Sequence, residues 1–136
     1  MGLEGTWYNE LCSTLVITSV SADGVIAGTY TTAVSSSGCA KGQFIVAGCT
    51  DIDAEGGSSG NVGFCVSWEN DQSQCGSVTS WSGQLVNGQI IAFWLLTIEG
   101  EATWQSTLIG QDIFTTTPPT PAQCSARMQT HRKSHP

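Results

Sequence analysis

The chain has 136 residues, of which 11% are charged, and its formal net charge is -7, a size that suits one domain around one continuous core. With 11 Asp and Glu against 4 Lys and Arg, it lacks the basic surface that neutralises phosphates, which excludes nucleic acid and anionic membrane surfaces as partners. No apolar run approaches the ~20 residues that a membrane-spanning helix needs, and the opening Met-Gly-Leu-Glu-Gly-Thr-Trp has neither the basic nor the apolar region of a signal peptide.

Apolar and polar residues alternate with a period near two in stretches rich in Val, Ile, Thr, Trp and Phe, the mark of half-buried strands. A first strand is expected at 5–9. A second, at 12–20, runs to the turn pair Asp23-Gly24 and a third strand at 25–33. Ser35-Ser36-Ser37-Gly38 interrupts the pattern before a fourth strand at 42–49. The Gly-rich stretch Glu55-Gly56-Gly57-Ser58-Ser59-Gly60 precedes a fifth at 62–69, and Asn70-Asp71 a sixth at 76–86. Asn87-Gly88 leads into a seventh at 89–98, and Glu99-Gly100 into an eighth at 104–116. No segment reads as an amphipathic helix. Eight strands joined in sequence predict an all-β domain over 1–116, an eight-stranded antiparallel up-and-down β-barrel whose interior can hold one small ligand. A two-sheet sandwich is the alternative. Residues 117–136, with Pro118, Pro119 and Pro121 ahead of polar and basic residues, have little to bury and are expected to form a disordered tail.

Charge is distributed unevenly. Every acid lies within 1–126 beside a single base, Lys41, while Arg127, Arg132 and Lys133 crowd the tail, so the folded body is more acidic than the total. Cys12, Cys39, Cys49, Cys65, Cys75 and Cys124 form no Cys-x-x-Cys pair and have no His cluster nearby, which argues against a metal site and for disulfides in an oxidising compartment. Secretion is therefore expected, with Met1 standing where a signal peptide was removed; a cytoplasmic protein with free thiols is the alternative. His131 and His135 lie in the tail, and the body has no Gly-x-Ser-x-Gly elbow and no carboxylates that the sequence places together. No enzyme chemistry is expected, and no cofactor.

Residues two apart share a face of a strand. One face then carries Ser77, Thr79 and Trp81, another Tyr30 and Thr32, another Phe64, Val66 and Trp68. Hydroxyls and indoles inside a barrel are costly unless something completes their hydrogen bonds, which points to a pocket for a polar and aromatic-contacting ligand. Taken singly, each residue has an ordinary role: Trp68, Trp81, Trp94 and Trp104 as core fillers, Ser77, Thr79 and Thr32 as strand residues, Asn9 and Asp112 as corner or solvated groups.

Gly5-Thr6-Trp7-Tyr8-Asn9, Gly28-Thr29-Tyr30-Thr31-Thr32-Ala33-Val34, Val66-Ser67-Trp68, Ser77-Val78-Thr79-Ser80-Trp81-Ser82-Gly83-Gln84, Trp94-Leu95-Leu96-Thr97 and Trp104-Gln105-Ser106-Thr107-Leu108-Ile109-Gly110-Gln111-Asp112 resemble the motifs of the avidin and streptavidin family, in the family's order, over about residues 5 to 116. The resemblance implies non-covalent binding of biotin, with sequestration of the vitamin for defence as the biological role. It assigns Asn9, Ser13 and Tyr30 as donors to the ureido oxygen, and Thr32 and Asp112 as acceptors of the ureido N–H groups. Thr79 falls to the ring sulfur and Ser77 to the valeryl carboxylate. Trp68, Trp81 and Trp94 wall the ligand, where rigid aromatic surface gives contact at little entropic cost. Trp104 matches a residue that enters a neighbouring subunit's pocket, which favours a homotetramer over a dimer.

The sequence departs from relatives in the loop after the third strand, where Ser36 stands at a position often held by Asn; backbone donors survive this change. Some relatives, including dimeric ones, bridge the loops that carry Cys39 and Cys75, so the resemblance implies that pair as a disulfide ordering the mouth and shifts weight toward the dimer. Cys49 and Cys65, on neighbouring strands, pair by proximity, and closing about 15 residues contributes ~3 kcal/mol in the chain-entropy account. Cys12 and Cys124 remain by elimination. A barrel of this fold that takes another small ligand or a peptide is one competing function, separated by whether Asn9, Ser13, Tyr30, Thr32 and Asp112 converge on one point; an adhesive oligomer with a vestigial pocket is another, and it predicts assembly without ligand dependence.

Overall fold

A computed structural model describes residues 2–33, 42–53, 59–70, 73–98 and 107–124, with the backbone alone at 70, 73–75 and 107. The alternation of the sequence resolves into β1 (Gly5–Tyr8), β2 (Thr14–Val20), β3 (Val25–Thr31), β4 (Phe44–Thr50), β5 (Gly60–Asn70), β6 (Ser73–Val86), β7 (Gln89–Ile98) and β8 (Thr107–Phe114). They form one antiparallel sheet in sequence order. The sheet curls until its first and last strands meet, where Tyr8 and Thr115 exchange backbone hydrogen bonds of 2.8 Å each way. This is the expected up-and-down barrel, its first and last strands joined at a single residue pair.

Which face turns inward follows from the period of two. Phe44 and Val46 on β4, Val62, Phe64, Val66 and Trp68 on β5, and Ile90, Ala92, Trp94 and Leu96 on β7 are all buried, while the residues between them are exposed or half-buried. The β5–β6 register slips between Ser67 and Glu69, where the extra residues lie on β6 between Gln74 and Val78. At the hairpin from β6 to β7, Asn87 (φ 52°) and Gly88 (φ 77°) take the left-handed conformations that a tight two-residue turn requires.

The first strand ends earlier than its pattern predicts. Asn9 and Ser13 leave the ladder because Asn9 Oδ1 accepts the N–H groups of Leu11 (3.0 Å) and Ser13 (2.9 Å), folding the chain into a tight corner. Cys12 within it has a φ of 71°.

Of the expected disulfides, one forms and one does not. Cys12 and Cys124 are bonded, with Cα atoms 5.6 Å apart. Cys49 and Cys65 are not; both are exposed free thiols. The register sets Cys49 opposite Gly63 and Cys65 opposite Ala47, so the two are diagonal neighbours at about 7–8 Å between Cα atoms, beyond the ~4.4–6.8 Å that a disulfide spans. The two cysteines do lie on neighbouring strands, but the register sets the thiols too far apart. Cys39 and the Cys75 side chain, and with them the expected Cys39–Cys75 bridge, lie outside the described residues.

The segment after β8 also differs from expectation as far as Cys124. Thr120 Oγ1 accepts the Gln123 N–H at 3.2 Å and Gln123 Oε1 accepts the Thr120 N–H at 2.9 Å, a reciprocal cap on the helical turn at 121–124. The bridge to Cys12 fastens that turn to the β1–β2 corner. Because it closes most of the chain into one loop, Cys124→Ser should lower stability by about 2–5 kcal/mol, read by denaturant unfolding without reductant. An equal midpoint for variant and parent would show that the bridge contributes nothing.

Candidate ligand-binding site

The corner between β1 and β2 builds one wall of the site. Its turn commits Asn9 Oδ1 to the backbone, so the remaining amide group points inward and Nδ2 donates to the Tyr30 hydroxyl at 3.4 Å. Ser13 is fully buried, accepts the Ala33 N–H at Oγ (2.9 Å) and lies 3.4 Å from Thr32 Oγ1. With an acceptor lone pair used by the backbone, its hydroxyl proton is available to donate. Burial, reinforced by the charge of Asp112 and opposed by a hydrogen bond with Ser13, pushes the Tyr30 phenol well above its ordinary range. Tyr30 is therefore a neutral donor at any physiological pH.

Strands β5 and β6 add the aromatic wall. Trp68 Nε1 donates to Thr79 Oγ1 at 2.8 Å, which fixes the indole and leaves the threonine proton to donate in turn. Trp81 stacks on Phe64 with centroids 4.9 Å apart and lies against Tyr30 at 5.1 Å; Trp68 meets Phe44 edge-on at 5.0 Å. Packing of this kind holds each indole in one orientation. On β7, Trp94 lies flat against β8 because position 110 is glycine, and a Cβ there would fall within the indole.

The charged group of the site is Asp112 on β8. It is fully buried, its Oδ2 accepts from Trp81 Nε1 at 2.9 Å, and among the described residues its Oδ1 accepts no hydrogen bond. Removal from water pushes its carboxyl up to about 7, with the Trp81 hydrogen bond opposing and the nearby Glu10 carboxylate adding to the rise; Asn9 is close enough to lower it. A buried carboxylate with an open lone pair is expensive to keep and marks a place where something else donates.

The structure thus brings Asn9, Ser13, Tyr30 and Thr32 into one hydrogen-bonded group, with Asp112 electrostatically joined to it. Thr79 and Trp81 share the inner face of β6, and Ser77, half-buried, lies two residues along on that face. Ser36 and Trp104 lie outside the described residues. Sequence reasoning passed over Glu10, Phe44 and Gly110. Phe64 was visible on the inner face of Trp68, but nothing local marks a glycine as the seat of an indole. Gly110→Ala should push Trp94 off β8 and cost about 1–3 kcal/mol, measured by thermal unfolding with tryptophan fluorescence; unchanged stability and emission would mean that the indole does not depend on this contact.

A model of the Avidin family matches residues 1–117, and the chain therefore belongs to the Avidin family, a family of binding proteins and not of enzymes.

Proposed function

We propose that the chain binds biotin non-covalently inside the barrel. The observation that carries this reading is the open Oδ1 of buried Asp112 in the same site as the hydrogen-bonded group of Asn9, Ser13, Tyr30 and Thr32, with Asn9 and Tyr30 electrostatically coupled to it. A cyclic urea answers both halves: its carbonyl oxygen accepts from the donors, and its N–H groups donate to Asp112 and Thr32. Such donors, held in place before the ligand arrives, cost no reorganisation on binding. Thr79 supplies a hydroxyl for the thioether ring, and Trp68, Trp81 and Trp94 cover the bicycle and alkyl chain. Ser77 and the loop containing Ser36 serve the carboxylate. The Cys12–Cys124 bridge supports a life in an oxidising, extracellular compartment.

Binding confined to the folded state raises apparent stability. Excess biotin should shift thermal unfolding upward, and Asp112→Ala should weaken binding about 10–100-fold, the range of a charged hydrogen bond of ~1.5–3 kcal/mol. No shift in the native protein would leave the barrel and remove biotin; an equal response in the variant would remove Asp112 from the site.

Assembly into a homotetramer, with Trp104 completing a neighbour's site, is the second part of the proposal. Ile45, Phe93, Leu95 and Ile109 are 81%, 62%, 48% and 73% exposed on the outside of the barrel. The registers run small residues, Ala47, Cys65 and Ser80, across β4 to β6 up to Leu95 and Ile109, and Gly63 and Ser82 across β5 and β6 up to Phe93. A ridge beside a trough on one surface is self-complementary about a two-fold axis and is the kind of apolar patch that monomers rarely expose. Light scattering should return four times the 14.3 kDa chain mass, and Leu95→Arg with Ile109→Arg should lower it. A monomer in the parent would end this part of the proposal.

A further inference from the structure

Asn9 and Ser13 face inward, but Glu10 between them sits on the barrel seam. Its Oε2 accepts the Ile113 N–H at 2.8 Å, which fixes the carboxylate against β8 one residue from Asp112. On the outside, Glu10 lines a cleft of about 360 Å³ together with Tyr8, Ile113, Thr115, Pro118 and Gln123. The cleft is roofed by the segment that the Cys12–Cys124 bridge fastens down. The Glu10 carboxylate therefore lines this cleft, is anchored one residue along β8 from Asp112, and acts on the buried Asp112 carboxyl by charge and by hydrogen bonding.

We propose that Glu10 is a positioning residue that holds a proton on Asp112 in the empty site, so that ligand binding expels that proton, with the seam cleft as its way out. The inference rests on the reading of Asp112 as the acceptor of a ligand N–H. The ionisable groups facing Asp112 are Glu10 from the corner and Tyr30 from β3, while β6 and β7 contribute Trp81 and Ala92. Tyr30 is neutral, so Glu10 supplies the negative charge that makes a second ionisation costly. Burial acts in the same direction and is the larger cause; together they set the Asp112 carboxyl at about 7. An N–H donor on Oδ1 favours the charged form and lowers that value in the complex. The sign follows: affinity is flat above about pH 7 and falls as the pH drops below it, because the ligand must then displace a proton.

The ligand-free protein has the opposite slope. A carboxyl that holds its proton more tightly folded than unfolded contributes most stability at low pH, and that contribution is lost as pH rises from about 4 to about 7.

The test is calorimetric binding of biotin from pH 5 to 9, in buffers of different ionisation enthalpy, to the native protein and to Glu10→Gln, which keeps an oxygen for the Ile113 N–H. Native affinity should be roughly tenfold weaker at pH 6 than at pH 8, since the binding-competent fraction falls by that factor, with about one proton released per site at pH 6. In Glu10→Gln the decline should begin at lower pH and be about twofold or less at pH 6. Identical profiles, or no proton release by the native protein at pH 6, would overturn the proposal. Carboxyl NMR titration of ligand-free protein reads Asp112 without biotin: an unmoved midpoint in Glu10→Gln defeats the inference, while a moved midpoint with no biotin binding at pH 8 retains the coupling and defeats the proposed ligand.

Discussion

The structure depends on closing an eight-stranded sheet whose first strand is only four residues long. The bonds between Tyr8 and Thr115 join the two edges at one residue pair, which is little to hold a barrel shut. Two further fastenings lie on the same line: the Glu10 carboxylate on the Ile113 N–H, and the Cys12–Cys124 bridge. Backbone pairing, a charge-assisted hydrogen bond and a covalent link thus run from residues 8–12 to residues 113–124. A short first strand is tolerable because its corner continues the attachment by other means.

Closure creates an interior, and this interior is not a plain hydrophobic core. Leu15, Ile26, Phe44, Val46 and Phe114 pack as an apolar filling. Asn9, Ser13, Thr79 and Asp112 are buried beside them. Most of their polar atoms are assigned: Asn9 Oδ1 to the corner, Ser13 Oγ to Ala33, Thr79 Oγ1 to Trp68 and Asp112 Oδ2 to Trp81. Each assignment uses the half of a side chain that faces the scaffold and leaves the other half facing the site. A network satisfied on its supporting side is rigid, whereas one satisfied throughout has nothing to offer a ligand.

Much of this was legible beforehand because the period of two carries both strand and face. The strand count, the Asn87-Gly88 hairpin and the shared face of Ser77, Thr79 and Trp81 follow from alternation and turn chemistry alone. What escaped depends on register or on pairings far apart in sequence. Cys49 and Cys65 lie on adjacent strands, but whether they can bond is decided by a two-residue offset that no composition reveals. The seat of Trp94 on Gly110 and the approach of Glu10 to Ile113 join residues that only the barrel brings together. The helical turn at 121–124 is a different kind of miss. Its signal, Thr120-Pro121-Ala122-Gln123, is local, with a capping pair around a first-turn proline, and the surrounding prolines hid it.

Seam and site share one segment, and this ties binding to closure. A urea held as proposed touches Asn9 and Ser13 on one side of the seam and Asp112 on the other. Letting β1 part from β8 then separates donors from acceptor before any strand melts. Fluctuations that open the seam are the ones a ligand suppresses most, because the free energy of a local opening is set by the interactions that hold that region closed, and the ligand adds to them. Glu10 occupies the position where the fastening and the buried charge meet. Its carboxylate strengthens the seam through Ile113 and raises the cost of ionising Asp112, so a single side chain sets closure against charge. A ligand that donates to Asp112 relieves that conflict, since it stabilises the ionised carboxylate while bridging the same two edges.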